Sequence, residues 1–145
     1  MAADNTQFSI AVHILVGIAK HEHVNTTQLA QSVNTNPIFI KRIVGKLAKS
    51  GLLLSSRGRN GGNCLAREAS DISLLDVYRA VNAPNLFAIH QYETVASCSI
   101  SSNIQQTLAC VRDSLQNEIE LRLNQLSIKD MLDDINLRKQ YVKTE

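Results

Sequence analysis

Apolar residues recur along this chain in three rhythms. From Phe8 to Ala19 the positions are apolar nearly all round, which predicts a buried first helix. Thr26 to Val33 reads as a short second helix, with Asn25 or Thr26 available as its N-cap. After the turn Asn34-Thr35-Asn36, Pro37 suits the first position of a third helix in which Ile40, Ile43, Val44 and Leu47 form one apolar face. Ser50-Gly51 supplies its stop. The rhythm then shortens: Leu52–Ser56 and Asn63–Ala66 read as two strands around the glycine-rich tip Arg57-Gly58-Arg59-Asn60-Gly61-Gly62, with Asn60 and Gly61 shaping the turn. A further helix opens at Ser73 in a near capping-box arrangement with Asp76, carries Leu74, Val77, Tyr78 and Val81, and is ended by Pro84.

Beyond a weakly patterned linker, Ile104, Leu108, Val111, Leu115, Ile119, Leu123 and Leu126 recur in steps of three and four. That spacing predicts a helix of about 23 residues, longer than a small domain needs for its own core, so its apolar seam calls for a partner. Ser127–Leu132 reads as a short docking helix and 136–145 as a polar tail that frays. The fold class predicted is mostly α: a winged helix-turn-helix with a two-stranded β wing and a long C-terminal dimerisation helix. The expected division is 1–83 for the winged domain, 84–102 for a linker or sensor loop, 103–135 for the dimerisation and docking helices, and 136–145 for the tail. No internal repeat is visible.

Composition narrows this only slightly. At 145 residues, 44% of them hydrophobic and 19% charged, the chain can build one real core and is not of the disordered type. The longest apolar run, Ile10 to Ala19, is too short for a bilayer, and no Lys or Arg precedes Lys20, so a cytoplasmic protein without a secretory signal is expected. Charge changes the picture more. Net charge is +2, yet from His23 to Arg67 there is no acid, while Lys41, Arg42, Lys46, Lys49, Arg57, Arg59 and Arg67 all lie there. From Glu68 onward eleven acids face seven Lys plus Arg. The first half thus has the footprint of a polyanion binder.

A basic helix sized for the major groove, followed by an arginine-bearing hairpin, points to double-stranded DNA. Lys41, Arg42 and Lys46 are candidates for base edges or phosphates, Arg57 and Arg59 for the wing contact, and Thr26, Thr27, Asn36 and Ser56 for phosphate contacts that compete with capping or turn roles. Catalysis has no support: there is no Gly-x-Ser-x-Gly elbow, phosphate loop or His-Glu-x-x-His. His21 and His23 are two imidazoles, which do not make a metal site, and Asp133-Asp134 reads as solvated. The competing class is a protein-interaction winged helix that works through its dimer helix and lacks specific DNA binding.

Thr27–Val33, Asn36–Ile40, Leu47–Leu52, Ser56–Gly62, Ile72–Val77 and Leu126–Met131 together resemble the Rrf2 family of bacterial winged-helix transcriptional regulators, over nearly the whole chain. The Arg-Gly-x-x-Gly-Gly wing after a Gly-Leu turn is the most specific part. The resemblance implies a homodimer joined through the long helix and binding a roughly palindromic operator, most simply as a repressor. It also frames two departures. Cluster-carrying members place three cysteines in the linker, whereas this linker holds Cys98 alone, with Cys110 in the long helix and Cys64 in the wing strand. No cofactor and no metal is therefore expected, and Cys98 is left as a possible redox sensor. Second, the position of a base-reading Glu in the iron–sulfur regulator is Lys41 here, and a small Ser is replaced by Ile38, so the operator should differ. The effector is not indicated.

Overall fold

The computed structural model describes residues 2–59 and 61–142, with side chains from Thr6 onward. Its elements run α1 (Ala2–His21), α2 (Thr26–Val33), α3 (Pro37–Lys49), β1 (Leu53–Ser56), β2 (Gly62–Leu65), a 3-10 turn (Ala69–Asp71), α4 (Leu74–Ala80), α5 (Ser99–Asn124) and α6 (Ile128–Val142). This is the mostly helical winged helix-turn-helix that the periodicity predicts. Asn60, assigned to the tip turn, and 143–145 lie outside the described residues.

Each helix end has a local cause. Asn25, rather than Thr26, caps α2: its side chain accepts from Gln28 N at 2.8 Å, while Gln28 Oε1 accepts from Asn25 N at 3.0 Å. Asn34, at φ 62°, closes α2 in the left-handed region that Asn tolerates. Asn36 Oδ1 accepts the Ile38 N–H at 2.8 Å and Pro37 takes the position where a missing donor costs nothing. Ser73 and Asp76 form a complete capping box on α4. That helix ends before Pro84, at Val81, with Asn82 left-handed at φ 50°.

The chain divides into two compact units, one of 1–83 with 123–145 and one of 84–122. In the first, α1, α2, α3 and α4 bury Ile14, Leu15, Ile18, Leu29, Ile40, Ile43, Leu47 and Val77 around one aliphatic core. The antiparallel hairpin adds Leu52 and Leu53 to it. The C-terminal segment returns to this unit: Leu74 N donates to Leu126 O (2.8 Å), Ile128 N donates to Ile72 O (2.9 Å), and Ile128 is fully buried.

Three expectations need correction here. Leu123 and Leu126, assigned to the dimer seam, pack against the chain's own core instead. The docking helix is not short but runs 15 residues, through most of the expected tail: Ile128, Met131 and Leu132 pack on the core, and Lys129–Asp133 and Arg138–Asp134 pairs at 2.7 Å support the exposed side. And α5 starts at Ser99, inside the expected linker, because Cys98 Sγ accepts the Ser101 N–H (3.4 Å) as a cap.

The second unit is α5 as far as Arg122 with residues 84–98, which have no regular structure. The half-tied segment is held by Leu86 N donating to Gln116 Oε1 (3.3 Å), Gln105 Nε2 to Tyr92 O (3.0 Å) and Val95 N to Ser101 Oγ (2.8 Å). Along α5, Val111 and Leu115 are 46% and 39% exposed, and Ile100, one turn before Ile104, is 72% exposed. Among the described residues no helix is long and apolar enough to cross a membrane.

Candidate nucleic-acid interface

With Ile40, Ile43, Val44 and Leu47 turned into the core, the 3.6-residue period leaves Ile38, Lys41, Arg42, Gly45 and Lys49 on the outer face of α3, and all five are exposed. Arg42 lies over the Phe39 ring at 5.9 Å, which steadies its guanidinium. Gly45 lies within the continuous helix, and a Cβ there would meet nothing within 4 Å. Core packing therefore does not explain the glycine, whose cost in a helix interior is about 1 kcal/mol relative to Ala.

The wing stands beside this face. Thr26, Lys41, Gly45, Ser56, Arg57 and Gly58 line a single groove of about 600 Å³ between α3, the start of α2 and the hairpin. Thr27 and Asn36 lie on a more open depression over the α2–α3 turn, not in the groove. Arg59 is exposed at the tip. Lys41, Arg42, Lys49, Arg57 and Arg59 have no acidic partner among the described residues. The other two cations of the acid-free stretch are occupied: Arg67 faces Asp76 at 3.6 Å, and Lys46 donates to Gln7 Oε1 on α1 at 2.9 Å. Lys46 is thereby drawn off the outer face, and only Lys41 and Arg42 of the three helix candidates share it.

A residue that the sequence reading passed over sets the wing's position. The pairing Leu53↔Leu65 and Ser55↔Asn63 puts all four on one face of the hairpin, so Asn63 points inward and is 4% exposed. Its Oδ1 accepts from Ser55 Oγ (2.8 Å), its Nδ2 donates to Val24 O (2.9 Å), and its backbone exchanges two hydrogen bonds with Val24. Next to it, a Cβ on Gly62 would stand 2.7 Å from His23 O, so only glycine permits this approach. His23 and Glu22 both hold positive φ, 49° and 47°, at this clamp. The usable signal in the sequence was strand parity: Leu53 inward puts Asn63, two residues before its partner Leu65, on the same face.

The donor set does not fit an iron–sulfur cluster. Cys98 precedes α5 and Cys110 lies three turns along it, a separation of about 18 Å at the helical rise. Cys64 is committed to β2. No three His, Cys, Asp or Glu are grouped for a metal among the described residues, His21 and His23 included. A cluster takes about four such ligands at bonding distance.

Residues 4–134 match the profile of the Rrf2 family, described as iron-dependent transcriptional regulators. The candidate HTH-type regulator YwnA of Bacillus subtilis (strain 168) is 36% identical over 132 residues, 90% of this chain and 98% of YwnA. A solved candidate DNA-binding protein is 32% identical with a TM-score of 0.70, covering 87% of this chain and 98% of that one. A candidate transcriptional regulator from Lactobacillus plantarum has a TM-score of 0.75 at 26% identity, covering 97% and 99%. With a basic helix face, a clamped wing and these relatives in agreement, the chain belongs to the Rrf2 family of DNA-binding transcriptional regulators, which are not enzymes.

Proposed function

We propose that this protein is a cytoplasmic, sequence-specific repressor that binds double-stranded operator DNA as a homodimer and carries no iron–sulfur cluster. The observation that carries the reading is the shared groove of Lys41, Gly45, Ser56 and Arg57, continuous with the unpaired cations of the outer α3 face. Lys41 and Arg42 go to base edges, Arg57 and Arg59 to phosphates or the minor groove, and Thr26, Thr27, Asn36 and Ser56 to neighbouring phosphates. Asn36 spends its Oδ1 on the cap and keeps its Nδ2 for DNA; Ser56 Oγ reaches Gly62 O at only 3.4 Å and is readily turned.

The dimer reading rests on the α5 seam of Ile100, Ile104, Leu108, Val111, Leu115 and Ile119, while Leu123 and Leu126 pack on the chain's own core. A second copy of the same seam covers it isologously and spaces two recognition helices about 34 Å apart. Cys98, exposed at the start of α5, is the thiol assigned to any redox response. Selection of bound duplexes from a random pool, in oxidised and reduced protein and over a salt series, tests the reading. A palindromic consensus supports it; uniform weak binding at every sequence favours the interaction-module alternative and overturns it.

A further inference from the structure

We propose that Ile38 reads the 5-methyl group of a thymine in the major groove, which makes a T·A pair at one fixed step of each half-site a specificity element. This rests on the DNA-binding reading above. Ile38 is the second residue of α3, the end of a recognition helix that meets base edges. It is a large aliphatic side chain that is 72% exposed, so it serves no packing role in its own unit. Its position is fixed: Pro37 precedes it and Asn36 Oδ1 holds its N–H at 2.8 Å. A β-branched side chain in a helix has essentially one χ1 choice, so little freedom is lost when it is covered.

What covers it must also suit its neighbours. Lys41 and Arg42 stand one turn along the same face, without acidic partners among the described residues. An apolar protein surface seated on Ile38 would strip water from two unpaired cations, a heavy cost. The major groove satisfies both demands, offering acceptors and phosphates to the cations and a single kind of apolar group, the thymine methyl, to Ile38.

The test uses the operator recovered by selection and replaces each dT by dU, which keeps the pairing and O4 and removes only the methyl. One dT→dU change in each half-site removes two methyls from the dimer's operator and should weaken the unaltered protein about fifteenfold, roughly fourfold for each buried methyl. The same change should leave Ile38→Ser unaffected, and Ile38→Val should retain most of the discrimination. If dT→dU weakens the unaltered protein and Ile38→Ser equally, or weakens neither, Ile38 is not the methyl reader while DNA binding stands. If no duplex outcompetes the pool, both readings fall.

Discussion

Gly45 and Arg59 test the interface at single positions from opposite directions. Gly45→Ala adds a methyl to open space on α3 and removes a flexible residue from a helix interior, so it should stabilise the protein by roughly 1 kcal/mol in denaturant unfolding. The same methyl stands on the groove-facing side and should lower DNA affinity by about tenfold, the equivalent of ~1.4 kcal/mol. A variant that gains stability with its DNA affinity unchanged would show that this face does not meet DNA. Arg59→Ala removes an exposed cation and should leave stability unchanged within about 0.5 kcal/mol. Its mark is the slope of log affinity against log salt, which should flatten by about one unit per lost phosphate contact. An unaltered slope together with unaltered affinity places the wing away from the duplex.

At the level of elements, the question is whether the hairpin acts as a unit held by Asn63. Asn63→Ala takes the acceptor from Ser55 Oγ and one of two donors from Val24 O, which keeps the bond from the backbone N–H of residue 63, so the loss should be about 0.5–1.5 kcal/mol. The expected signature is a double-mutant cycle: once Asn63 is Ala, adding Arg59→Ala should cost little, while Lys41→Ala should keep its full cost. Additivity at both positions would make Asn63 an ordinary structural residue. These elements also mark how far the sequence could be read. Helices α2 to α4 and the hairpin were legible because each combines an apolar stripe with a cap or turn residue close by, as with Asn36-Pro37 and Ser73-Asp76, whereas α1 was legible only from Phe8, the polar run before it giving no signal. The start of α5 was not, since Ser99, Ser101 and Ser102 carry no apolar signal and the cap is a cysteine sulfur. Nor was the second half of α6, which carries the Arg138–Asp134 pair and is exposed. Asn63 escaped notice because its partner, Val24, lies 39 residues away. In the site, the composition of the outer α3 face was readable, but Lys46 was not, since only its bond to Gln7 turns it aside.

For the molecule as a whole, the dimer and the absence of a cluster are the properties to measure. Sedimentation should give about 32 kDa, twice the 16.0 kDa chain, and Leu115→Asp should return it to the single-chain mass by placing a charge in the seam. A stable single-chain species of the unaltered protein at micromolar concentration would defeat the seam. Protein purified without oxygen should be colourless and should bind DNA without added iron; stoichiometric iron lost on Cys98→Ala would mean that the cysteines serve a cluster after all. The two-piece construction of the DNA-binding unit, 1–83 with 123–145, carries a consequence for biosynthesis. Ile128 fills a core laid down by residues made long before it, and the Ile72 carbonyl and Leu74 N–H wait for partners near residue 127. At about 5–20 residues per second of translation, the nascent chain spends seconds with its reader complete in sequence and unfinished in structure. A message broken ahead of that point yields a polypeptide with all the candidate contact residues and without Ile128, and it should be less stable than the full chain in denaturant unfolding.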